Sequence, residues 1–138
     1  ACCFICIENM PLFDGYFVPL VTPEALNDFV RRDGLNVTLD TTHYAQIGID
    51  ILEAARILGR NIKTIHLSDF KDGRSHVFIG EGELDLQGFF DVIDIEHINA
   101  VTLECSLTSI NDPNHEMNYN ELISRLKEAK TRIERLLA

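Results

Sequence analysis

Four apolar runs, each followed by a stretch with helical spacing, constrain this chain more than any other feature. The runs are "ACCFICIEN", "LNVTLD", "IKTIHLSD" and "NAVTLEC". They are continuous rather than alternating, as expected of strands covered on both faces of a parallel sheet. After the first, "VTPEALNDFVRRDG" predicts a helix over about 23–32, with Thr22 as N-cap, Pro23 at the first helical position, Glu24 in the first turn and Gly34 as the stop. "GIDILEAARILGRN" predicts a second, with Ile51, Leu52, Ala55 and Leu58 on its apolar side and Gly59 at its end. A polar, glycine-rich loop follows the third run, and "LDLQGFFDVID" then offers Asp85 as cap of a shorter helix. "YNELISRLKEAKTRIERLLA" reads as a long amphipathic last helix, with Glu128 and Arg132 at i, i+4 spacing.

Strict alternation of four strand-helix repeats predicts an α/β fold of parallel (β/α) units joined by right-handed crossovers. Two architectures fit: an open doubly wound sheet, and four of the eight units of a closed barrel. The dinucleotide-binding form of the open sheet needs a GxGxxG-type turn after an early strand, and none of the four runs has one. Half a barrel is the stronger expectation. With 138 residues and 46% hydrophobic content, residues 1–138 are expected to form a single unit. The first run opens at residue 1, which predicts a longer parent carrying the other strands. The alternative is a half-barrel that self-associates, two copies pairing at their open sheet edges.

Charge narrows the partners. Acidic residues outnumber basic ones 22 to 12, a formal charge of −10, which repels a phosphate backbone and makes nucleic acid an unfavoured partner. No apolar run approaches the ~18 residues of a membrane span, and no basic segment opens the chain, so it reads as cytosolic. Cys2, Cys3, Cys6 and Cys105 show no paired CxxC spacing and read as small buried hydrophobes.

The chemistry lies where the strands end. Glu8, Asp40, His66 and Glu104 each close an apolar run, one strand-helix repeat apart. In a parallel barrel those ends converge on one mouth. Three carboxylates there repel one another unless a cation compensates them. Three oxygen donors with one imidazole suit Mn²⁺, Mg²⁺ or Co²⁺, and also admit Zn²⁺. Taken singly, Asp40 could equally cap a helix, and His66 could be a satisfied core histidine. The shared position of all four carries the reading.

The segments "ICIENMP", "LDTTHYAQIGID", "IHLSDF", "HVFIGEGELD" and "VTLEC" resemble the strand-end motifs of the xylose isomerase-like TIM-barrel superfamily, in that family's order and spacing. That superfamily holds sugar and sugar-phosphate isomerases and epimerases together with endonuclease IV-type AP endonucleases. The resemblance implies the C-terminal half of a TIM barrel, with Glu8, Asp40, His66 and Glu104 holding one divalent metal. It also implies substrate contacts for His43, for His76 ahead of "IGEG", and for Arg74. Asp69 either orients a neighbouring ligand or ends its strand, and Gly80 and Gly82 around Glu81 are expected to form a tight turn with positive φ. His97, Asp112 and His115 lie outside any motif and read as surface residues.

The expected activity is metal-dependent isomerisation or epimerisation of a sugar or sugar phosphate through a metal-stabilised enediolate, with Glu8 and Glu104 transferring the proton. Two alternatives stand beside it: an endonuclease IV-like phosphodiester hydrolase, and a half-barrel without activity of its own. The endonuclease branch carries Asp-x-His before its "IGEG", whereas this chain has "RSHVFIGEG", with a cation at the acid's place. That substitution disfavours a further metal.

Overall fold

A computed structural model describes residues 4–12, 18–108 and 114–138. In chain order the elements are β1 (Cys6–Glu8), α1 (Pro23–Asp33), β2 (Asn36–Asp40), α2 (Thr41–Gln46), α3 (Ile51–Leu58), β3 (Ile62–Leu67), β4 (Asp69–Lys71), β5 (Arg74–Val77), α4 (Leu86–Val92), β6 (Ala100–Leu103) and α5 (Tyr119–Leu136). The main sheet is parallel, in the order β1-β2-β3-β6. Neighbours in the sheet are therefore neighbours in the chain, apart from the inserted β4-β5 ribbon. A doubly wound sheet reverses its strand order at a switch point. This sheet does not, and it has the winding of a barrel wall.

Local chemistry explains the helices. The Thr22 hydroxyl accepts from the Ala25 amide at 3.3 Å, Pro23 opens α1, and Gly34 closes it. Asp50 caps α3 by accepting from the amides of Leu52 and Glu53, and Asp85 caps α4 through Gly88. Asn118 and Glu121 form a reciprocal capping box at the start of α5. Glu128 and Arg132 go separate ways: Arg132 turns inward to donate to the Ile79 carbonyl at 3.0 Å, while Glu128 accepts from Ser124. The i, i+4 ion pair on α5 is Lys130 with Glu134. None of the helices described is long and apolar enough to cross a membrane.

Helix-facing side chains of the sheet, Val37, Leu39, Ile65 and Leu67, pack under Leu26 and Val30 of α1, Ala54 and Leu58 of α3, and Phe89 of α4. The opposite face is polar. Thr38 and Thr64 are register partners there, with hydroxyls 2.5 Å apart.

Three expectations need correction. β1 is not covered on both faces: it is a half-buried edge strand, and the preceding Phe4 and Ile5 are 44% and 66% exposed. Cys2 and Cys3 of that run lie outside the described residues, as does Asp112; Cys6 and Cys105 are free thiols, half-buried rather than buried. The polar loop after β3 is an antiparallel ribbon, β4-β5, whose Asp72-Gly73 turn has positive φ at both residues. An Asp-Gly pair matches the twist of a two-residue hairpin, and that signal was present in "KDGR". Asp40 caps the short helix α2, which follows β2 directly.

Candidate metal centre

Asp40 ends β2 on the sheet and begins α2 with its side chain. Its Oδ1 accepts from the amides of Thr42 at 2.7 Å and His43 at 2.9 Å, and from the Thr42 hydroxyl at 2.9 Å. Its Oδ2 is buried and has no hydrogen-bond partner. One oxygen of this carboxylate thus caps the helix, and the other is left without a partner.

Glu8, Asp40, His66 and Glu104 come together: each offers a ligand atom, and these atoms lie within 4.8 Å of one another. Register places Asp40 directly beside His66 across β2 and β3. His66 Nδ1 lies 3.2 Å from Glu8 Oε1 and 2.9 Å from Glu104 Oε2. Three carboxylates and one imidazole so close must share protons or a cation.

His43, in the first turn of α2, sits beside this group. Its Nδ1 is 2.8 Å from the Asn9 carbonyl, which can only accept, so Nδ1 carries the proton and Nε2 is left as the free nitrogen. His76 is fixed similarly, with Nδ1 3.2 Å from the Glu104 carbonyl and 3.2 Å from the Ser68 hydroxyl. The two rings meet edge to face, 5.5 Å between centroids. Asp40, His43 and His76 also bring ligand atoms within 4.8 Å of one another. His76 holds φ at +59°, a strained backbone for a residue with a β-carbon.

Arg74 is placed elsewhere. It lines a neighbouring cleft of about 290 Å³ with Ser75, Val77, Phe78, Glu81, Ser106 and Thr108. His97 and His115 pair with Asp94 and Glu121 at the surface.

Asp69 performs neither role expected of it. It is buried at the start of β4 and gathers four backbone amides: Phe70 and Leu84 on Oδ1, Gly80 and Gly82 on Oδ2, at 2.9 to 3.1 Å. It clasps the "IGEGEL" loop. Gly80 has the expected positive φ, but Gly82 is needed for another reason: a β-carbon there would sit 2.1 Å from Asp69 Oδ1.

Asn9, fully buried, was overlooked. Its side chain receives the Asp40 amide at 2.7 Å and donates to the Asp40 carbonyl at 3.0 Å, while its own carbonyl holds His43. The signal was an amide side chain immediately after a strand-ending glutamate. Thr41 and Ser68 likewise tie β2 to β3, the Thr41 hydroxyl donating to the Ser68 carbonyl at 2.7 Å. Burial drives two nearby groups upward, the Cys105 thiol to about 12 and the Tyr44 phenol above its usual range, with the Glu24 charge adding to the latter.

Residues 3–129 match the family model described as a xylose isomerase-like TIM barrel. Three solved structures share the backbone. One is D-psicose 3-epimerase with D-tagatose from Clostridium cellulolyticum H10, with TM-score 0.75 and 18% identity, covering 96% of this chain and 48% of that one. Another is D-psicose 3-epimerase in the presence of D-fructose, with TM-score 0.77, 20% identity, and 97% and 49% covered. The third is L-ribulose 3-epimerase, with TM-score 0.64, 19% identity, and 98% and 51% covered. The chain thus spans about half the length of the structures it matches. No curated protein matches it in sequence.

Proposed function

The chain belongs to the xylose isomerase-like TIM-barrel family, and on that premise we propose that it carries the catalytic centre of a divalent-metal-dependent sugar or sugar-phosphate isomerase or epimerase. The observation behind this reading is Asp40 Oδ2, a buried carboxylate oxygen without a partner, grouped with Glu8, His66 and Glu104. A buried anionic oxygen is strongly unfavourable unless a cation meets it. The donor set, three carboxylates and an imidazole, fits one Mn²⁺, Mg²⁺ or Co²⁺, and Zn²⁺ as well. The names of three similar structures, 3-epimerases of ketoses, point the same way.

When bound, such an ion polarises a ketose carbonyl and acidifies the adjacent C–H. The remaining work falls to the side chains. Asp40 cannot swing, because Oδ1 is held by two amides and a hydroxyl. Glu8 and Glu104 enter from strands at opposite edges of the sheet, β1 and β6, and can flank a substrate between them. One carboxylate removes the proton from carbon, leaving an enediolate, and the other, entering in its acid form, delivers a proton in return. Return to the opposite face of the same carbon is epimerisation; return to the neighbouring carbon is isomerisation. His43 Nε2, left as an acceptor by the Nδ1 bond to the Asn9 carbonyl, accepts from a substrate hydroxyl.

Metal content and solvent exchange test this together. About one divalent ion per chain, with deuterium entering a ketose or its phosphate from the solvent, is the expected result. Absence of metal after loading with Mn²⁺ would overturn it. The group Asp40, His43 and His76 favours a second reading, phosphodiester hydrolysis of the AP endonuclease kind. That reading requires two or three ions per chain.

A further inference from the structure

We infer that His76 is a positioning residue for Glu104 rather than a substrate contact, an inference that rests on the isomerase reading and concerns how its centre is held. β6 is an edge strand, so Glu104 has a sheet neighbour on one side only. That neighbour is Leu67, whose carbonyl accepts from the Glu104 amide at 3.1 Å, and register pairing stops at Leu67 and Leu103. The Glu104 carboxylate thus stands where the sheet gives out.

His76 supplies the next rung. The β4-β5 ribbon folds back and brings it to the segment just past β6. Its carbonyl accepts from the Ser106 amide at 2.6 Å, and its Nδ1 lies 3.2 Å from the Glu104 carbonyl. In a parallel ladder, one residue uses its own amide and carbonyl to bond the carbonyl before and the amide after the residue opposite. His76 makes both bonds around Cys105, with a ring nitrogen standing in for the amide. A carbonyl can only accept, so Nδ1 carries the proton and donates it, with Ser68 Oγ as a second acceptor at 3.2 Å.

The backbone of His76 is bent to this task. Its φ of +59° lies in the left-handed region, uncommon for any residue with a β-carbon. Such strain persists only where the surroundings over-determine it. Here it turns the carbonyl and the ring of one residue toward the same segment, 104–106. The ring also meets His43 edge to face, 5.5 Å between centroids, which limits its rotation from the other side.

Substitutions at position 76 separate the backbone, the Nδ1 donor and the rest of the ring. Asparagine tolerates positive φ and its Nδ2 can replace the Nδ1 donor, but it has nothing in place of Nε2. Glycine accepts the same φ and has no donor.

The test is titration of the full chain with Mn²⁺, the free ion followed by electron paramagnetic resonance, then solvent deuterium entry into a panel of ketoses and their phosphates. Circular dichroism confirms that each variant folds. His76→Gly should weaken Mn²⁺ binding roughly tenfold or more, the scale for a residue that supports a metal-binding group, and His76→Asn should restore most of that loss. Deuterium entry should fall in the same order through kcat, with KM little changed. Three equal Mn²⁺ affinities, or a His76→Asn variant as weak as His76→Gly, would overturn the inference. So would a rise in KM alone, which makes His76 a substrate contact, or a second ion per chain lost in both variants, which makes it a metal ligand. If Mn²⁺ affinity follows the expected order but deuterium enters no sugar, the isomerase reading fails and the positioning role stands. If the unaltered chain takes up no Mn²⁺, both fall.

Discussion

The Asn9 side-chain amide holds the Asp40 backbone at both ends: Asp40 N–H donates to Asn9 Oδ1 at 2.7 Å, and Asn9 Nδ2 donates to the Asp40 carbonyl at 3.0 Å. This closed pair joins the end of β1 to the end of β2, where the edge strand has only three residues of ladder. It fixes the level at which Glu8 and Asp40 face the same space.

Asn9→Ala removes both bonds and strands a buried amide and carbonyl. Loss of a buried pair of this kind destabilises by about 1–3 kcal/mol. Urea denaturation should show a lower midpoint with an unchanged slope, and an unshifted midpoint would mean that the pair contributes nothing.

Asp40→Asn should separate stability from binding. The amide oxygen can still cap α2, while the NH₂ group replaces the partnerless anionic Oδ2 and can donate to the carboxylates around it. Without metal the variant should be at least as stable as the parent; its Mn²⁺ affinity should fall roughly tenfold or more. A variant that binds Mn²⁺ normally would remove Asp40 from the ligand set.

Glu104→Gln tests the chemistry more narrowly. The Glu104 side chain contacts His66 but supports no backbone group in the structure described, so its loss should leave the fold intact. Solvent deuterium exchange into substrate should drop by at least about a hundredfold, the scale of a lost general base. Exchange at the parental rate would exclude Glu104 from proton transfer.

Gly82→Ala should unfold the loop clasp. The added methyl would sit 2.1 Å from Asp69 Oδ1 and 2.6 Å from the Phe70 carbonyl, and backbone cannot yield as a flexible side chain does. Overpacking of this kind costs about 1–3 kcal/mol, visible as a fall in Tm of several degrees. Gly80 makes the milder comparison in space alone, since its obstacle is the Arg132 side chain.

Acid should fray α5 before the core melts. The Asn118 amide, donating at 2.9 Å, holds the Glu121 carboxyl below its usual 4.5 against the opposing effect of desolvation, with smaller downward contributions from His115 and Arg125. A carboxyl whose folded pKa is depressed stabilises fully above its unfolded value and loses that contribution as pH falls through the lower folded one. Amide exchange at Asn118 should therefore quicken below about pH 4.5. Protection that stays constant to pH 3 would show that the capping box does not depend on the charge.

Much of the fold could be read from local chemistry because caps and stops are short-range: Thr22, Gly34 and Asp85 act within a turn of themselves. The four strand-end residues were legible for a different reason, since equal position along parallel strands becomes proximity once the sheet forms. What escaped was long-range hydrogen bonding. Asn9 reaches 31 residues to Asp40, and Asp69 reaches 11 to 15 residues to the loop it gathers. No periodicity announces such partners. The β4-β5 ribbon was missed through unweighted turn chemistry, and the exposed β1 because an edge strand and a central one can carry the same apolar run.

The division of labour within Asp40 bears on how such a chain would age under mutation. One of its oxygens starts a helix, so a lineage that gave up its chemistry would still be penalised for losing this aspartate. Glu104 enjoys no such protection. Among descendants, an aspartate retained at position 40 is therefore a poor witness to activity, and the residue at position 104 is the one whose drift would date its end.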